Sequence, residues 1–214
     1  YLCNQNLYIM NIDIITKYFR DISEEQCRQL EALYDLYQDW NSKINVISRK
    51  DIDNLYEHHV LHSLAIAKAI RFKDGSEILD FGTGGGVPLA IMFPNCRFHL
   101  IDGTGKKIRV ATEVANAIGL KNCHPEHKRG EEEKGKYDFV VSRAVMPLPD
   151  LERIVRKNIS TKQRNAIPNG IICLKGGNVE SEIQPFRKYT EVTEISQWFS
   201  EEWFKEKYVI YLPI

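Results

Sequence analysis

The stretch LDFGTGGGVP (Leu79–Pro88) restricts this chain more than any other, with four glycines in five positions behind the apolar run EILDF (77–81). A strand that ends in such a run and enters a helix lets backbone amides approach a ligand without interference from Cβ atoms. Gly82, Gly84, Gly85 and Gly86 are placed to do this. The next apolar run, RFHLID (97–102), ends on Asp102, twenty positions after Gly82. In an open parallel sheet a carboxylate at that place meets ribose hydroxyls. The glycines alone read as a tight turn. Together with Asp102 they read as a cofactor loop.

The rest of the chain repeats the same alternation. PLAIMF (88–93) reads as the crossover helix between the first two strands, and KKIRVATEVANAIG (106–119) as a helix with a glycine at its stop. A strand near 121–125, YDFVVS (137–142), a helix from about 148 to 159 and GIICLK (170–175) follow. Strands alternating with helices imply a parallel sheet with right-handed crossovers. Two β-rich runs, about 189–196 and 207–213, then suggest an antiparallel hairpin closing the sheet. The first 75 residues differ in texture and read as helices. Ser23-Glu24-Glu25-Gln26 has the capping-box pattern, and Cys27, Leu30, Leu33, Tyr34, Tyr37 and Trp40 recur every three or four residues behind it. This spacing turns Asn41 and Asn45 outward. A second helix after Asp51 is expected to carry Leu55, His59, Leu64, Ala67 and Ile70 inward.

The division expected is therefore a helical cap over 10–75 and a cofactor-binding domain over 76–214. Because MNIDIITKYF from Met10 reads as a natural start, residues 1–9 are expected to be an upstream extension. The 29 basic residues balance the 29 acidic ones, so net charge casts no vote for nucleic acid. Five cysteines without paired spacing suggest reduced thiols and a cytoplasmic setting. No apolar run approaches the ~18 residues of a membrane span.

Dinucleotide sites show G-x-G-x-x-G before a pyrophosphate, whereas this loop reads G-T-G-G-G behind the acid Asp80. S-adenosylmethionine has no phosphate and carries a sulfonium and an amino group, which an acid at the end of the first strand suits better. No G-K-[ST] follows, which excludes a Walker loop. The terminal hairpin also favours a methyltransferase sheet, so S-adenosylmethionine is the expected cofactor. The acceptor is less directly marked. SRAVMP (142–147) stands where amine methyltransferases carry an NPPY-like stretch, and no cysteine has the flanks of a nucleophile. An acceptor with a lone pair and no proton to lose, such as guanine N7, fits that absence.

Taken together, the motifs resemble the RsmG (GidB) family, the bacterial small-subunit ribosomal RNA guanine-N7 methyltransferases. The resemblance runs from about Trp40 to the C-terminus. It rests on W-N-x-K-I-N (Trp40 to Asn45), H-H-V-L-H-S-L (His58 to Leu64), L-D-F-G-T-G-G-G with P-L-A-I, and I-D-G-T-G-K-K (Ile101 to Lys107). K-R-G-E-E (Lys128 to Glu132), D-F-V-V-S-R-A-V (Asp138 to Val145) and L-K-G-G (Leu174 to Gly177) complete it. It implies a class I, Rossmann-like α/β fold: a mostly parallel seven-stranded sheet with a C-terminal antiparallel hairpin and an N-terminal helical cap. It also implies that Gly82 and Val87 contact S-adenosylmethionine, with Asp80 and Gly84 in the same loop. Asp102 is then the ribose-binding acid, Gly130 and Glu131 border the adenine, and Arg143 faces the cofactor and acceptor, positioning them for catalysis. Lys106, Lys107 and Lys175 are expected around the same mouth, facing RNA phosphate. The partner implied is small-subunit ribosomal RNA or the 30S particle, met by a monomer. Two departures stand out. This chain passes straight from Gly86 to Val87-Pro88-Leu89 where the family usually carries several more residues, and it has His62 where many members have Asp.

Other readings share the same loop: a methyltransferase for another RNA or a small molecule, or a non-catalytic S-adenosylmethionine-binding ribosome-associated factor. His58, His59 and His62 invite a metal on one helix face. With no acid fixed nearby they read as packed or hydrogen-bonded histidines, as do His124 and His127, and no metal is expected. Arg143 has a plainer alternative too, a pairing with Asp138.

Overall fold

The apolar runs become seven strands in the computed structural model, which describes residues 12–214. They are β1 (Glu77–Phe81), β2 (Arg97–Asp102), β3 (Cys123–His127), β4 (Phe139–Arg143), β5 (Gly170–Gly176), β6 (Glu191–Glu194) and β7 (Lys207–Pro213). One sheet holds them in the order β3-β2-β1-β4-β5-β7-β6. The first five run parallel, while β7 lies antiparallel between β5 and β6. This is the Rossmann-like arrangement with its antiparallel end. The expected start at Met10 and Cys3 lie outside the described residues.

The helices are α1 (Asp13–Thr16), α2 (Glu24–Glu31), α3 (Leu33–Lys43), α4 (His62–Ala69), α5 (Gly86–Met92), α6 (Gly105–Ala117), α7 (Leu148–Val155) and α8 (Glu180–Ile183). Strand alternation sorts the core into two layers. Ile78, Phe98, Leu100, Phe139, Val141 and Ile172 pack with Leu30, Leu64, Leu89 and Val114 from α2, α4, α5 and α6. Leu79, Ile101, Val140 and Ile171 pack on the opposite face with Leu148, Leu151 and Val155 from α7. The N-terminal helices thus share one apolar cluster with the sheet. Chain order runs outward from β1 to β3 and returns to β4 on the other side of β1. The carboxyl ends of β1 and β4 therefore diverge into a crevice, the place where open α/β sheets bind ligands.

Local signals set several boundaries. The Ser23 capping box forms, with Gln26 N–H donating to Ser23 Oγ (3.2 Å) and Ser23 N–H to Gln26 Oε1 (2.8 Å). The Gln26 amide also donates to Ile91 O (2.9 Å), tying α2 to the end of α5. Gly119 (φ +72°) stops α6 as expected.

Three expectations are corrected. The single helix read from Ser23 to Trp40 is two, α2 and α3, meeting at Ala32, where ψ opens to −17°. Asn41 does not face outward: it is buried, accepting from the N–H groups of Val46 and Ile47 (2.9 Å each) and donating to Ile47 O (2.8 Å). Those bonds close the turn after α3, and the side-chain amide supplies both the donor and the acceptor they need. Finally, the segment after Asp51 does not keep a 3.6-residue period. A 3-10 turn (52–54) is followed by a π turn over Leu55–Leu61 and then α4. The wider turn aligns residues five apart, so Leu55 with Val60 and Tyr56 with Leu61 are buried, while His59 and Ala67 are half-buried.

Candidate functional site

A cavity of about 540 Å³ opens at the β1–β4 switch point. Its floor is the glycine loop. Gly82 takes φ +103°, and a Cβ there would lie 2.4 Å from Val145 Cγ2, so only glycine permits the turn beneath the β4 loop. Thr83 (φ +46°) and Ala144 (φ +50°), which both line the cavity, also hold left-handed backbone without being glycine. Strain of this kind collects at functional sites. Gly86 is the first residue of α5, and Val87 and Pro88 follow it directly into the lining.

Asp80 lies wholly buried under the loop. Its Oδ2 accepts the N–H groups of Gly86 (2.7 Å) and Gly85 (3.3 Å), while its Oδ1 has no hydrogen-bond partner. A Cβ on Gly86 would come within 2.8 Å of that Oδ2, so the glycine is what lets the acid reach the amides. Burial raises the carboxyl pKa to about 6, against the pull of the two amides and of Arg143. The amides that a pyrophosphate would use are therefore already taken by an acid. Asp102 ends β2 with Oδ1 accepting Thr104 N–H (2.7 Å) and Oδ2 accepting Thr83 Oγ–H (3.3 Å), and Lys107 Nζ lies 3.4 Å from the same Oδ2. Asp102 at the cavity edge and the buried carboxylate of Asp80 behind the loop suit a ligand carrying hydroxyls and positive charge, and fit S-adenosylmethionine.

Arg143 also lines the cavity and packs on the glycine loop, its Cβ and Nε 3.1 Å from where a Gly84 Cβ would lie. Its Nη1 donates to the backbone oxygens of His59 (3.1 Å) and His58 (3.4 Å), and its Nη2 to His59 Nδ1 (3.2 Å). The alternative pairing with Asp138 does not form: Asp138 Oδ2 accepts Glu77 N–H (2.9 Å) and lies 3.4 Å from Arg164 Nε. Burial holds the guanidinium pKa below its ordinary value, and the charges of Asp80, Tyr37 and Asp51 offset only part of that.

Among the sequence-derived residues, Gly82, Gly84, Val87, Asp102, Lys107, Gly130 and Arg143 line the cavity together. Asp80 stands behind the loop. Glu131 is exposed beside Gly130, and Lys106 is exposed one residue from Lys107 without lining the cavity. Lys175 is corrected. It is buried at 8% exposure, its Nζ 2.7 Å from Glu182 Oε2 and bonded to Met146 O, so its charge belongs to the fold rather than to the mouth. The reason for dismissing the histidines is corrected as well, because an acid is fixed beside them. Asp51 Oδ1 meets His58 Nδ1 (2.5 Å) and Oδ2 meets His59 Nε2 (2.6 Å). His59 itself lines the cavity, as do Ala144 and Val145, which the sequence reading also left out. The acid stands eight positions before His59, on the far side of the 3-10 turn, where no periodicity flags it.

Comparison with known proteins agrees with this geometry. The family model described as GidB, rRNA small subunit methyltransferase G, matches residues 26–208. The chain belongs to this family. A relative named ribosomal RNA small subunit methyltransferase G in Bacteroides thetaiotaomicron is 63% identical over 206 residues, covering 95% of this chain and 100% of its own. One of the same name in Cytophaga hutchinsonii is 49% identical over 205 residues, covering 94% and 99%. Solved methyltransferases share the fold at low identity. The N-methyltransferase NodS from Bradyrhizobium japonicum aligns with TM-score 0.54 at 13% identity, over 82% of this chain and 96% of its own. An S-adenosylmethionine-dependent methyltransferase from Aquifex aeolicus aligns with TM-score 0.51 at 18%, over 78% and 98%. The family placement confirms the resemblance read from the motifs. No helix among the described residues is long and apolar enough to cross a membrane.

Proposed function

We propose that this family member transfers a methyl group from S-adenosylmethionine to N7 of a guanine in 16S ribosomal RNA, in the cytoplasm, as a monomer. The observation that carries the reading is the acid-backed glycine loop: Asp80 occupies the amides of Gly85 and Gly86 beneath a cavity edged by Asp102. The proposed division is a helical cap over 10–75, of which 12–75 are among the described residues, and a cofactor-binding domain over 76–214.

S-adenosylmethionine, when bound, supplies an electrophilic methyl group on a cationic sulfonium. Asp102 accepts from the ribose hydroxyls, Gly82, Gly84 and Val87 bring the backbone close, and Gly130 with Glu131 borders the base. Asp80 places negative charge under the loop, so the same residues that hold the turn also favour a cation above it. Guanine N7 presents a lone pair and no proton, so the site needs orientation rather than a base, and in-line positioning supplies much of the rate. Arg143 donates hydrogen bonds suited to the carbonyl oxygen beside N7. Lys106 and Lys107, at the start of α6, meet RNA phosphate at the mouth.

Incubation with methyl-labelled cofactor and undermethylated 30S subunits tests this. Label recovered in N7-methylguanosine after digestion is the expected result. Label confined to another nucleoside, or none in RNA, overturns it.

A further inference from the structure

Arg143 is held from outside the sheet. Its guanidinium reaches 84 positions back along the chain to the π turn, where it finds two backbone oxygens and one imidazole nitrogen. A guanidinium only donates, so the His59 nitrogen facing it, Nδ1, has to be an unprotonated acceptor. The ring proton then sits on Nε2, which faces Asp51 Oδ2 at 2.6 Å. Each bond thus dictates the direction of the next. Asp51 accepts from His59, and His59 in turn accepts from Arg143.

We propose that Asp51 and His59 form a positioning relay that fixes the orientation of Arg143 in the cavity by locking one tautomer of His59. Three further features brace the relay. Asp51 Oδ1 is occupied by His58 Nδ1 (2.5 Å), so the carboxylate is held on both oxygens. The His58 ring stacks on Trp203, with centroids 4.2 Å apart and planes 15° off parallel, so a residue from the C-terminal segment closes the assembly. The π turn brings the carbonyls of His58 and His59 to Arg143, in keeping with the frequent use of such turns at functional sites.

The groups facing His59 are Asp51 from the preceding turn, His58 beside it, Arg143 from β4 and His62 on the following helix. Burial, and then the charge of Arg143, push the His59 pKa down to about 4, with Asp51 pulling the other way. His59 is therefore neutral across the physiological range, as an acceptor for arginine must be. Burial pushes Asp51 up, but its two imidazole hydrogen bonds outweigh that and hold the carboxyl below its ordinary value. An Asp51→Asn substitution keeps the shape and reverses the logic. With its NH2 on His59 Nε2 the new amide moves the ring proton to Nδ1, and an N–H then points at an N–H of Arg143. With its NH2 on His58 Nδ1 the relay survives, and imidazole nitrogen NMR of the variant tells the two apart.

The effect on rate rests on the methyl-transfer reading, whereas the tautomer does not, so two measurements separate them. Imidazole nitrogen NMR of the wild-type protein is expected to show His59 with a bare Nδ1 and a protonated Nε2, unchanged down to about pH 5. A proton on Nδ1, or titration near the ordinary value of about 6.5, overturns the relay whatever the enzyme does. In methyl transfer, Asp51→Asn is expected to lower kcat by about 10- to 100-fold while cofactor affinity stays within about threefold. Full kcat in a folded Asp51→Asn protein whose His59 carries its proton on Nδ1 also overturns it. If that variant does not fold, or keeps the proton on Nε2, His59→Gln replaces it, with the same loss of kcat expected and wild-type kcat counting against the relay. A wild-type protein with no methyl transfer, yet with the locked tautomer, refutes the function and leaves the relay standing.

Discussion

His99, Glu126, Glu133 and Tyr137, gathered beside β2 and β3, bond histidine to carboxylate just as Asp51, His58, His59 and Arg143 do at the β1–β4 mouth. In the first group the bonds join the members to one another and to Lys128, which itself reaches the cavity lining. His99 Nε2 meets Glu126 Oε2 (2.8 Å), His99 Nδ1 meets the Tyr137 hydroxyl (2.5 Å), and Lys128 Nζ lies 2.9 Å from Glu126 and 3.2 Å from Glu133. His99, Glu126 and Glu133 also lie close enough together to hold a metal ion, but the ammonium of Lys128 already supplies the positive charge. In the second group the bonds run in one direction and end on an arginine that lines the cavity. A polar network that surrounds its one ammonium with two carboxylates neutralises itself and stabilises a fold, whereas one that ends on a guanidinium orients a donor toward whatever enters the cavity.

The largest test of that contrast is Arg143→Ala. Methyl transfer, as kcat/KM, is expected to fall by about 10²- to 10³-fold, the range for removing one aimed donor from a site. Steady-state kinetics on 30S subunits checks it, and a loss under tenfold would move Arg143 to the structural side of the comparison.

Asp80→Asn comes next, because the acid serves binding at the expense of stability. A carboxyl raised to about 6 binds its proton more tightly folded than unfolded, so its contribution to stability falls as pH rises from about 4 to above 6. Asp80→Asn is therefore expected to gain on wild type by up to about 3 kcal/mol between pH 4 and pH 7 in denaturant melts. Cofactor affinity falls by about tenfold over the same change. Stability and affinity falling together would assign Asp80 to the scaffold alone.

Glu133→Gln probes the self-neutralised network and should do the reverse. Burial pushes Glu133 up, but the Gly135 amide and Lys128 outweigh it, so its carboxyl sits below the ordinary value of 4.5. Its contribution is present above that value and disappears as pH falls through the lowered one. At neutral pH, Glu133→Gln is expected to lose about 1–3 kcal/mol in melts, with the deficit shrinking in acid and kcat unchanged.

The smallest effect separates two lysines that look alike in sequence. Lys107→Ala is expected to reduce the salt dependence of RNA binding by about one unit of slope. Lys175→Met leaves that slope alone and lowers Tm, since it strands Glu182.

Much of the fold was legible because its signals are short-ranged. EILDF and RFHLID become β1 and β2 with the bounds read for them, the Ser23 box caps α2, and Gly119 ends α6. Each depends on neighbours a few residues away. The cofactor side of the site was legible for the same reason, since Asp80, the glycines and Asp102 belong to one strand–loop–helix–strand unit. The acceptor side was not. Lys175 ends in the same strand pattern as before, yet Glu182 from α8 captures it. Asn41 follows the helical period and still turns inward to close a loop.

What the chain determined by itself was the alternation, the turn chemistry and therefore the crevice. The orientation of Arg143 was decided only by tertiary structure. A π turn that breaks the helical period, an acid eight residues before His59 and a tryptophan from the last segment converge on it from three parts of the chain. The direction of a hydrogen-bonded relay depends on which donors and acceptors meet in space, and local periodicity carries no record of that.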